Sequence, residues 1–290
     1  MKRIGTVGKT NEIIKNNDFY FKKKFGQNFL IDQNILEGIV NASSITKDVA
    51  VIEIGPGIGA LTEHLCHNAG KVLAYEIDNN LIPILKNNLD EYDNITVLNK
   101  DFLEADVVAD IKEYLSDYKE VYLVANLPYY ITTPIIMHLL ENVKEVTKYT
   151  MMMQLEVADR ICSNKGKKDY NNLSIVIQYL ANVKKALFVS RNVFMPKPNV
   201  DSAVVVFDIK EKPDFAANNE KFFFSFVRKS FHNRRKTLVN NINFAYGMPK
   251  DEIAKILEEN NINPLVRSEA LSIEEFVNLA NIFESSVTKK

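Results

Sequence analysis

The stretch Val49-Ala50-Val51-Ile52-Glu53-Ile54 runs directly into Gly55-Pro56-Gly57-Ile58-Gly59, and it restricts the possible folds of this chain more than any other. A short run that is apolar at nearly every position suits a strand buried on both faces of a parallel sheet. The glycines let the chain turn sharply and let its backbone approach a ligand, at the N-terminus of the helix that follows through Leu61 and Leu65. The same alternation then repeats. Residues 72–77 read as a second strand, Leu81, Ile84, Leu85 and Leu89 as a helix face, and residues 95–98 and 121–125 as further strands. Regular strand–helix alternation predicts a doubly wound α/β sheet.

A helix after Pro134, a strand at 149–155, a helix at 173–180 and strands at 184–189 and 202–209 continue the pattern. Residues 210–214 (Lys-Glu-Lys-Pro-Asp) are polar and proline-containing, which marks a domain boundary. Beyond it the chain reads as helices at 222 to about 242, at 250–259, and at a last segment that Ser272 and Glu275 open as an S-x-x-E capping box. At the other end, residues 1–20 are polar and read as a loosely ordered leader, with room for a short helix at 11–17. Asp32 is placed to cap a helix carrying Ile35, Leu36, Ile39 and Val40. The expected domains are therefore 21–209, an α/β domain, and 214–290, a small all-helical one.

No apolar run reaches the roughly 20 residues a membrane helix needs, and the N-terminus shows no signal-peptide pattern, so a cytoplasmic protein is expected. Cys66 and Cys162 have no ligand-pair spacing, and His64 and His67 lack a carboxylate or thiol to complete a metal set; no metal is expected. The net charge of −1 conceals basic clusters at Lys22-Lys23-Lys24, at Lys165 to Lys168, and at Arg228-Lys229 with Arg234-Arg235-Lys236. A groove responds to local charge, so these clusters are the places to look for a polyanion.

Chemistry gathers where the strands end. Glu53-x-Gly55-x-Gly57-x-Gly59 differs from the dinucleotide pattern G-x-G-x-x-G. Glu76, about 20 residues further on, is the type of acid that takes a ribose diol. Asp101 can accept from an adenine amino group, with Phe102 beside it to pack on the ring. After the fourth strand come Asn126, Leu127, Pro128 and Tyr129: a carboxamide, a backbone carbonyl, a residue of fixed φ and an aromatic ring. Two acceptors and a ring form a clamp for a flat base bearing an amino group. All four features belong to carboxyl ends of one sheet, where ligands of open α/β folds bind.

As a set these motifs resemble the ribosomal RNA adenine dimethyltransferases of the KsgA (RsmA) type. The resemblance runs from Lys24-Phe25-Gly26-Gln27-Asn28-Phe29-Leu30 through the glycine loop, Glu76-Ile77-Asp78 and Asn126-Leu127-Pro128-Tyr129. It continues in Phe194-Met195-Pro196-Lys197-Pro198-Asn199-Val200-Asp201-Ser202 and Arg234-Arg235-Lys236. It implies a Rossmann-like class I methyltransferase domain with a small all-helical C-terminal domain, and S-adenosylmethionine as cofactor. Gln27, Asn28, Leu30, Gly55, Gly57, Glu76, Ile77, Asp101, Phe102 and Asn126 would hold the cofactor. Asn126, Leu127, Pro128, Tyr129 and Phe194 would carry catalysis, Phe194 closing on the target adenine opposite Tyr129. Lys22, Lys23, Lys24, Arg228, Arg234, Arg235 and Lys236 would bind RNA.

The implied reaction is N6,N6-dimethylation of two adjacent adenines in the 3′-terminal hairpin loop of 16S rRNA, in the small ribosomal subunit or its precursor, with a role in subunit biogenesis. A monomer is expected. Two alternatives stand beside it: a 23S rRNA dimethyltransferase of the macrolide-resistance type, and an assembly factor whose catalysis is secondary. Leu127, where the resistance branch usually carries Ile, favours the small-subunit reading.

Overall fold

The computed structural model describes residues 3–22 and 26–287. Helix α1 (Val7–Asn16) leads to strand β1 (Phe29–Leu30), α2 (Gln33–Ser43), β2 (Val49–Ile54), α3 (Ala60–Asn68) and β3 (Lys71–Tyr75). Then come α4 (Leu81–Asn88), β4 (Ile95–Leu98), α5 (Val107–Tyr114), β5 (Glu120–Asn126), α6 (Thr132–Asn142) and β6 (Val146–Gln154). They are followed by α7 (Leu155–Ile161), α8 (Asn172–Leu180), β7 (Ala181–Val189), β8 (Phe194–Met195) and β9 (Ser202–Ile209). The last four elements are α9 (Glu220–Ser230), α10 (Leu238–Tyr246), α11 (Lys250–Glu259) and α12 (Ile273–Val287).

Seven strands form one sheet in the order β4-β3-β2-β5-β6-β9-β7, while β1 and β8 make a separate two-residue ladder. The pairs β2–β3, β3–β4, β2–β5 and β5–β6 are parallel, and β9 runs antiparallel to β6. All six residues of β2 are buried, as its composition requires for a strand flanked on both sides and covered on both faces. Chain progression reverses between β2 and β5. That reversal opens a crevice at the carboxyl ends of the strands.

The chain divides into two compact units, one of Met1–Ala158 with Val183–Ile209 and the other of Asp159–Asn182 with Lys210–Lys290. The first has a core in which α2 and α3 contribute Leu36, Ile39 and Leu65. The second is built on aromatic rings: Phe226 stacks on Phe283 at 5.4 Å, and Tyr179 lies 4.6 Å from Phe223. Residues 159–182 pack with the C-terminal helices, so the helical unit begins earlier in sequence than the boundary at 210–214 implies.

Two further expectations change. The leader is not loose. It forms α1, capped by the Thr6 hydroxyl, which accepts from the Lys9 amide, and it buries Ile4 and Ile13 while Glu63 accepts from the Ile4 amide at 3.0 Å. The single helix expected at 222 to about 242 is interrupted at 231–237. Buried Asn241 causes the break: its Nδ2 donates to the Ser230 carbonyl at 2.7 Å and to the Asn233 carbonyl at 3.2 Å, and its Oδ1 accepts from the Asn233 amide at 3.1 Å. Thr237 then caps α10. No local pattern encodes a clamp that reaches back eight residues from inside the next helix.

Candidate active site

A cavity of about 200 Å³ opens at the carboxyl ends of β2, β3, β4 and β5. Every position expected to hold the cofactor lines it: Gln27, Asn28, Leu30, Gly55, Gly57, Glu76, Ile77, Asp101, Phe102 and Asn126. Leu127, Pro128 and Tyr129 line it too. The glycine loop contributes backbone. Gly55 and Gly57 adopt φ of 69° and 63°, and a Cβ on Gly57 would come within 3.0 Å of the Phe29 ring, so both conformation and space demand glycine there.

Glu76 is 4% exposed and preorganised by two amides: Gly57 donates to Oε2 at 3.2 Å and Asp78 to Oε1 at 2.8 Å. Burial pushes its carboxyl up to about 7, against those two hydrogen bonds. Glu53, also on the cavity wall, is 1% exposed with Oε2 unpartnered. Burial pushes it up to about 8, against the opposing effect of the nearby Thr62 hydroxyl, and repulsion from Glu76 adds to the rise. Glu53 is not among the residues expected at the site, although a charged residue inside an otherwise apolar strand was a signal that could have pointed to it.

Residues 26–30 are tied to these strand ends by side-chain bonds that the sequence does not announce. Buried Asp78 accepts from Lys22 Nζ at 2.7 Å and from Gln27 Nε2 at 2.9 Å, while Gln27 Oε1 accepts from the Lys22 amide at 2.8 Å. Burial acts to raise the Asp78 carboxyl, but the Lys22 and Gln27 bonds outweigh it and hold the group below the usual carboxylate range. Lys22, expected on RNA, is therefore committed to Asp78, and a buried carboxylate explains why: unpaired it would carry a large desolvation cost. Lys23, Lys24 and Phe25 lie outside the described residues.

Asn126 ends β5 half-buried, and its Nδ2 donates to the Asn28 carbonyl at 3.3 Å. That bond leaves Oδ1 as the free end of the carboxamide. Leu127 is anchored by its amide to the Met152 carbonyl at 3.2 Å, and the Pro128 carbonyl accepts from the Ile131 amide and the Thr132 hydroxyl to start α6. Tyr129 is fixed by a 2.7 Å hydrogen bond between its hydroxyl and Ser202 Oγ, and Tyr130 beside it is 58% exposed. Asp101 accepts from the Leu103 amide at 3.0 Å, and Phe102 packs edge-on to Tyr75 at 5.1 Å.

Phe194 departs from expectation. It is 4% exposed, belongs to the core of its unit, pairs with Leu30 in the β1–β8 ladder, and is absent from the cavity wall. Its ring is buried among the apolar residues of that core, behind Leu30, which does line the cavity. In the helical unit, Arg228 in the last turn of α9 and Arg234, Arg235 and Lys236 in the 231–237 loop are all exposed, and Arg234 donates to the Lys168 carbonyl at 3.4 Å. Among the described residues no cluster of His, Cys, Asp and Glu is arranged to hold a metal, and no helix is long and apolar enough to cross a membrane.

The sheet order, the glycine loop after β2 and the acids after β3 and β4 define a class I S-adenosylmethionine-dependent methyltransferase. Residues 18–285 match the family described as ribosomal RNA adenine dimethylase, and the chain belongs to that family: it is a ribosomal RNA adenine dimethyltransferase. It is 48% identical over 289 residues to the ribosomal RNA small subunit methyltransferase A of Bacillus pumilus, covering 99% of each chain. It is 47% identical to the protein so named in Lactococcus lactis, over 96% of this chain and 95% of the relative. Among solved structures it resembles a dimethyladenosine transferase from Plasmodium falciparum (TM-score 0.72, 26% identity, 89% of this chain and 97% of that one). It also resembles the 23S rRNA methyltransferase ErmE (TM-score 0.68, 26% identity, 88% and 99%).

Proposed function

We propose that this protein dimethylates N6 of two adjacent adenines in the 3′-terminal hairpin loop of small-subunit rRNA, acting on the subunit or its precursor as a cytoplasmic monomer. The observation that carries the chemistry is the acceptor pair at the end of β5: Asn126, whose Nδ2 is engaged by Asn28, and the adjoining Leu127 carbonyl. The small-subunit branch is supported by near-full-length identity to proteins named for that subunit, about twice that shared with the 23S enzyme.

The residues fit the cofactor. Glu53 Oε2, buried and without a hydrogen bond on the cavity wall, is a carboxyl that a cationic ligand would draw back toward ionisation, and the doubly hydrogen-bonded Glu76 suits a ribose diol. Glu76 would take the ribose and Asp101 with Phe102 and Ile77 the adenine. Gly55, Gly57, Gln27, Asn28 and Leu30 would line the remainder. When bound, S-adenosylmethionine supplies an electrophilic methyl group. Asn126 Oδ1 and the Leu127 carbonyl accept the two N–H bonds of the target amine, which draws its lone pair out of ring conjugation and aligns it for attack. Pro128 holds the turn, and the Tyr129 ring supports the base face, so a monomethylated amine can rebind after losing one donor. Phe194 enters through its pairing with Leu30. The C-terminal helical region, residues 214–290, would recognise the RNA.

The test is transfer of labelled methyl groups to purified small and large subunits lacking adenine dimethylation, with RNA digests mapped by mass spectrometry. Dimethyladenosine at adjacent small-subunit positions is expected; label on the large subunit instead would overturn the reading.

A further inference from the structure

The helical unit carries an exposed ring pair that the methylation chemistry does not use. Phe244 of α10 is 72% exposed, unusual for a phenylalanine, and it stacks on exposed His232 with ring centroids 4.8 Å apart and planes 15° apart. The pair is built, not accidental. Asn241 pins the loop that carries His232 to the helix that carries Phe244, through its three hydrogen bonds to Ser230 and Asn233. The same loop presents Arg235 and Lys236 to solvent, and Arg228 stands exposed just before it. None of these three cations has an acid within ion-pair distance among the described residues.

We propose that the His232–Phe244 stack is a docking site for an unpaired base of the ribosomal RNA other than the adenine that is methylated, with Arg235 and Lys236 meeting the adjacent phosphates. This rests on the small-subunit reading above. Planar rings with a free face beside unneutralised cations are what an unpaired nucleotide selects: its base extends the stack and its phosphates find the cations. An apolar protein contact has no use for three bare positive charges. The stack therefore adds a recognition point that tolerates base identity, while the cations respond to salt.

The experiment measures steady-state methyl transfer to small subunits with Phe244→Ala, Phe244→Leu and Phe244→Tyr proteins. The exposure of Phe244 leaves the fold unburdened by these changes. Phe244→Ala is expected to raise KM for the subunit about 5- to 150-fold, the ratio that base–aromatic stacking amounts to, with kcat at saturating subunit and KM for S-adenosylmethionine unchanged. Phe244→Tyr should restore wild-type KM and Phe244→Leu should not. An unchanged KM for Phe244→Ala overturns the docking site alone, provided the unaltered protein labels small subunits. Equal rescue by Leu and Tyr overturns it in favour of an apolar contact with a ribosomal protein. Failure of the unaltered protein to label small subunits removes the substrate reading and the docking site with it.

Discussion

On the cavity wall of the sheet-containing unit Glu53 and Glu76 are buried acids, with buried Asp78 two residues beyond Glu76 and the more exposed Lys100 and Asp101 just after β4, whereas on the helical unit Arg228, Arg234, Arg235 and Lys236 are exposed cations. Glu76 is held by backbone amides and Asp78 by Lys22 and Gln27, and Glu53 and Glu76 are pushed up toward neutrality by desolvation. The exposed cations face solvent and act over a Debye length of about 10 Å at 0.1 M salt. The net charge of −1 is summed over the whole chain and describes neither arrangement. A small cationic cofactor calls for fixed acceptors in a dry pocket; a polyanion calls for a wet, salt-sensitive surface. Substitutions in the two units should therefore separate by readout.

The largest effect is expected at the end of β5. Asn126→Ala should lower kcat by about 100-fold or more, since a preorganised acceptor aimed at developing charge is typically worth that much, with little change in binding to small subunits. Equal losses in turnover and binding would mean that Asn126 holds the fold of the site rather than the amine. Next comes the pH dependence of cofactor affinity. Only an ionised Glu76 accepts from both hydroxyls of a ribose, and burial places its titration at about 7. Affinity for S-adenosylmethionine, measured by calorimetry, should fall by about 30-fold from pH 8 to pH 5.5, at about tenfold per unit on the acid side. Glu76→Gln should bind weakly with that slope removed. A slope that survives the substitution would assign the proton to Glu53, whose carboxyl is pushed to about 8.

The sheet-containing unit was also the more legible one in sequence. Strand β2 is apolar at every position but Glu53, so burial on both faces could be read directly, and the residues that follow β2, β3, β4 and β5 all reach the cavity. Periodicity and strand-end position are local properties. What escaped was decided by contacts distant in sequence: Asp78 captures Lys22 across 56 residues, Leu30 pairs with Phe194, and residues 159–182 join the helices after 210. The break at 231–237 escaped for the same reason, since Phe222, Phe226 and Val227 continue a helical face while Asn241 imposes the loop from outside it. A basic cluster in sequence shows charge, and only the fold shows whether that charge is spent internally. Lys22 and Arg235 look alike until Asp78 is placed.

That distinction sets the third expectation. Arg235→Ala should weaken subunit binding about tenfold at low salt and lower the slope of log K against log salt by roughly 0.7 to 0.9 for the phosphate released. Lys22→Ala should leave the slope where it was and instead weaken cofactor binding, because Asp78 is left buried without its cation while it holds Gln27 at the cavity. Filter binding across a salt series measures the first, calorimetry the second. A reduced salt slope in Lys22→Ala would return that residue to the RNA face.

The smallest effect tests how much of the clamp is geometry. Tyr129 presents its ring to the cavity while its hydroxyl bonds Ser202 Oγ, a buried atom at the start of β9, so one hydrogen bond orients the ring between two strands of the same sheet. Burial raises the Tyr129 phenol further from ionisation, so the hydroxyl acts only as a hydrogen-bonding group through the neutral range. Ser202→Ala removes the partner and keeps the ring. A neutral hydrogen bond contributes about 1 kcal/mol net, so kcat/KM should fall about fivefold. Cofactor affinity should not move, because the groups proposed to hold it are fixed by Asp78, Gly57 and Asn28. The second methyl transfer should suffer more than the first: a monomethylated amine has lost one donor to the Asn126–Leu127 pair and depends more on the ring face. Accumulation of monomethyladenosine in Ser202→Ala digests, absent from wild type, would show that ring orientation carries the second step; equal slowing of both steps would leave the carbonyl acceptors in charge of each.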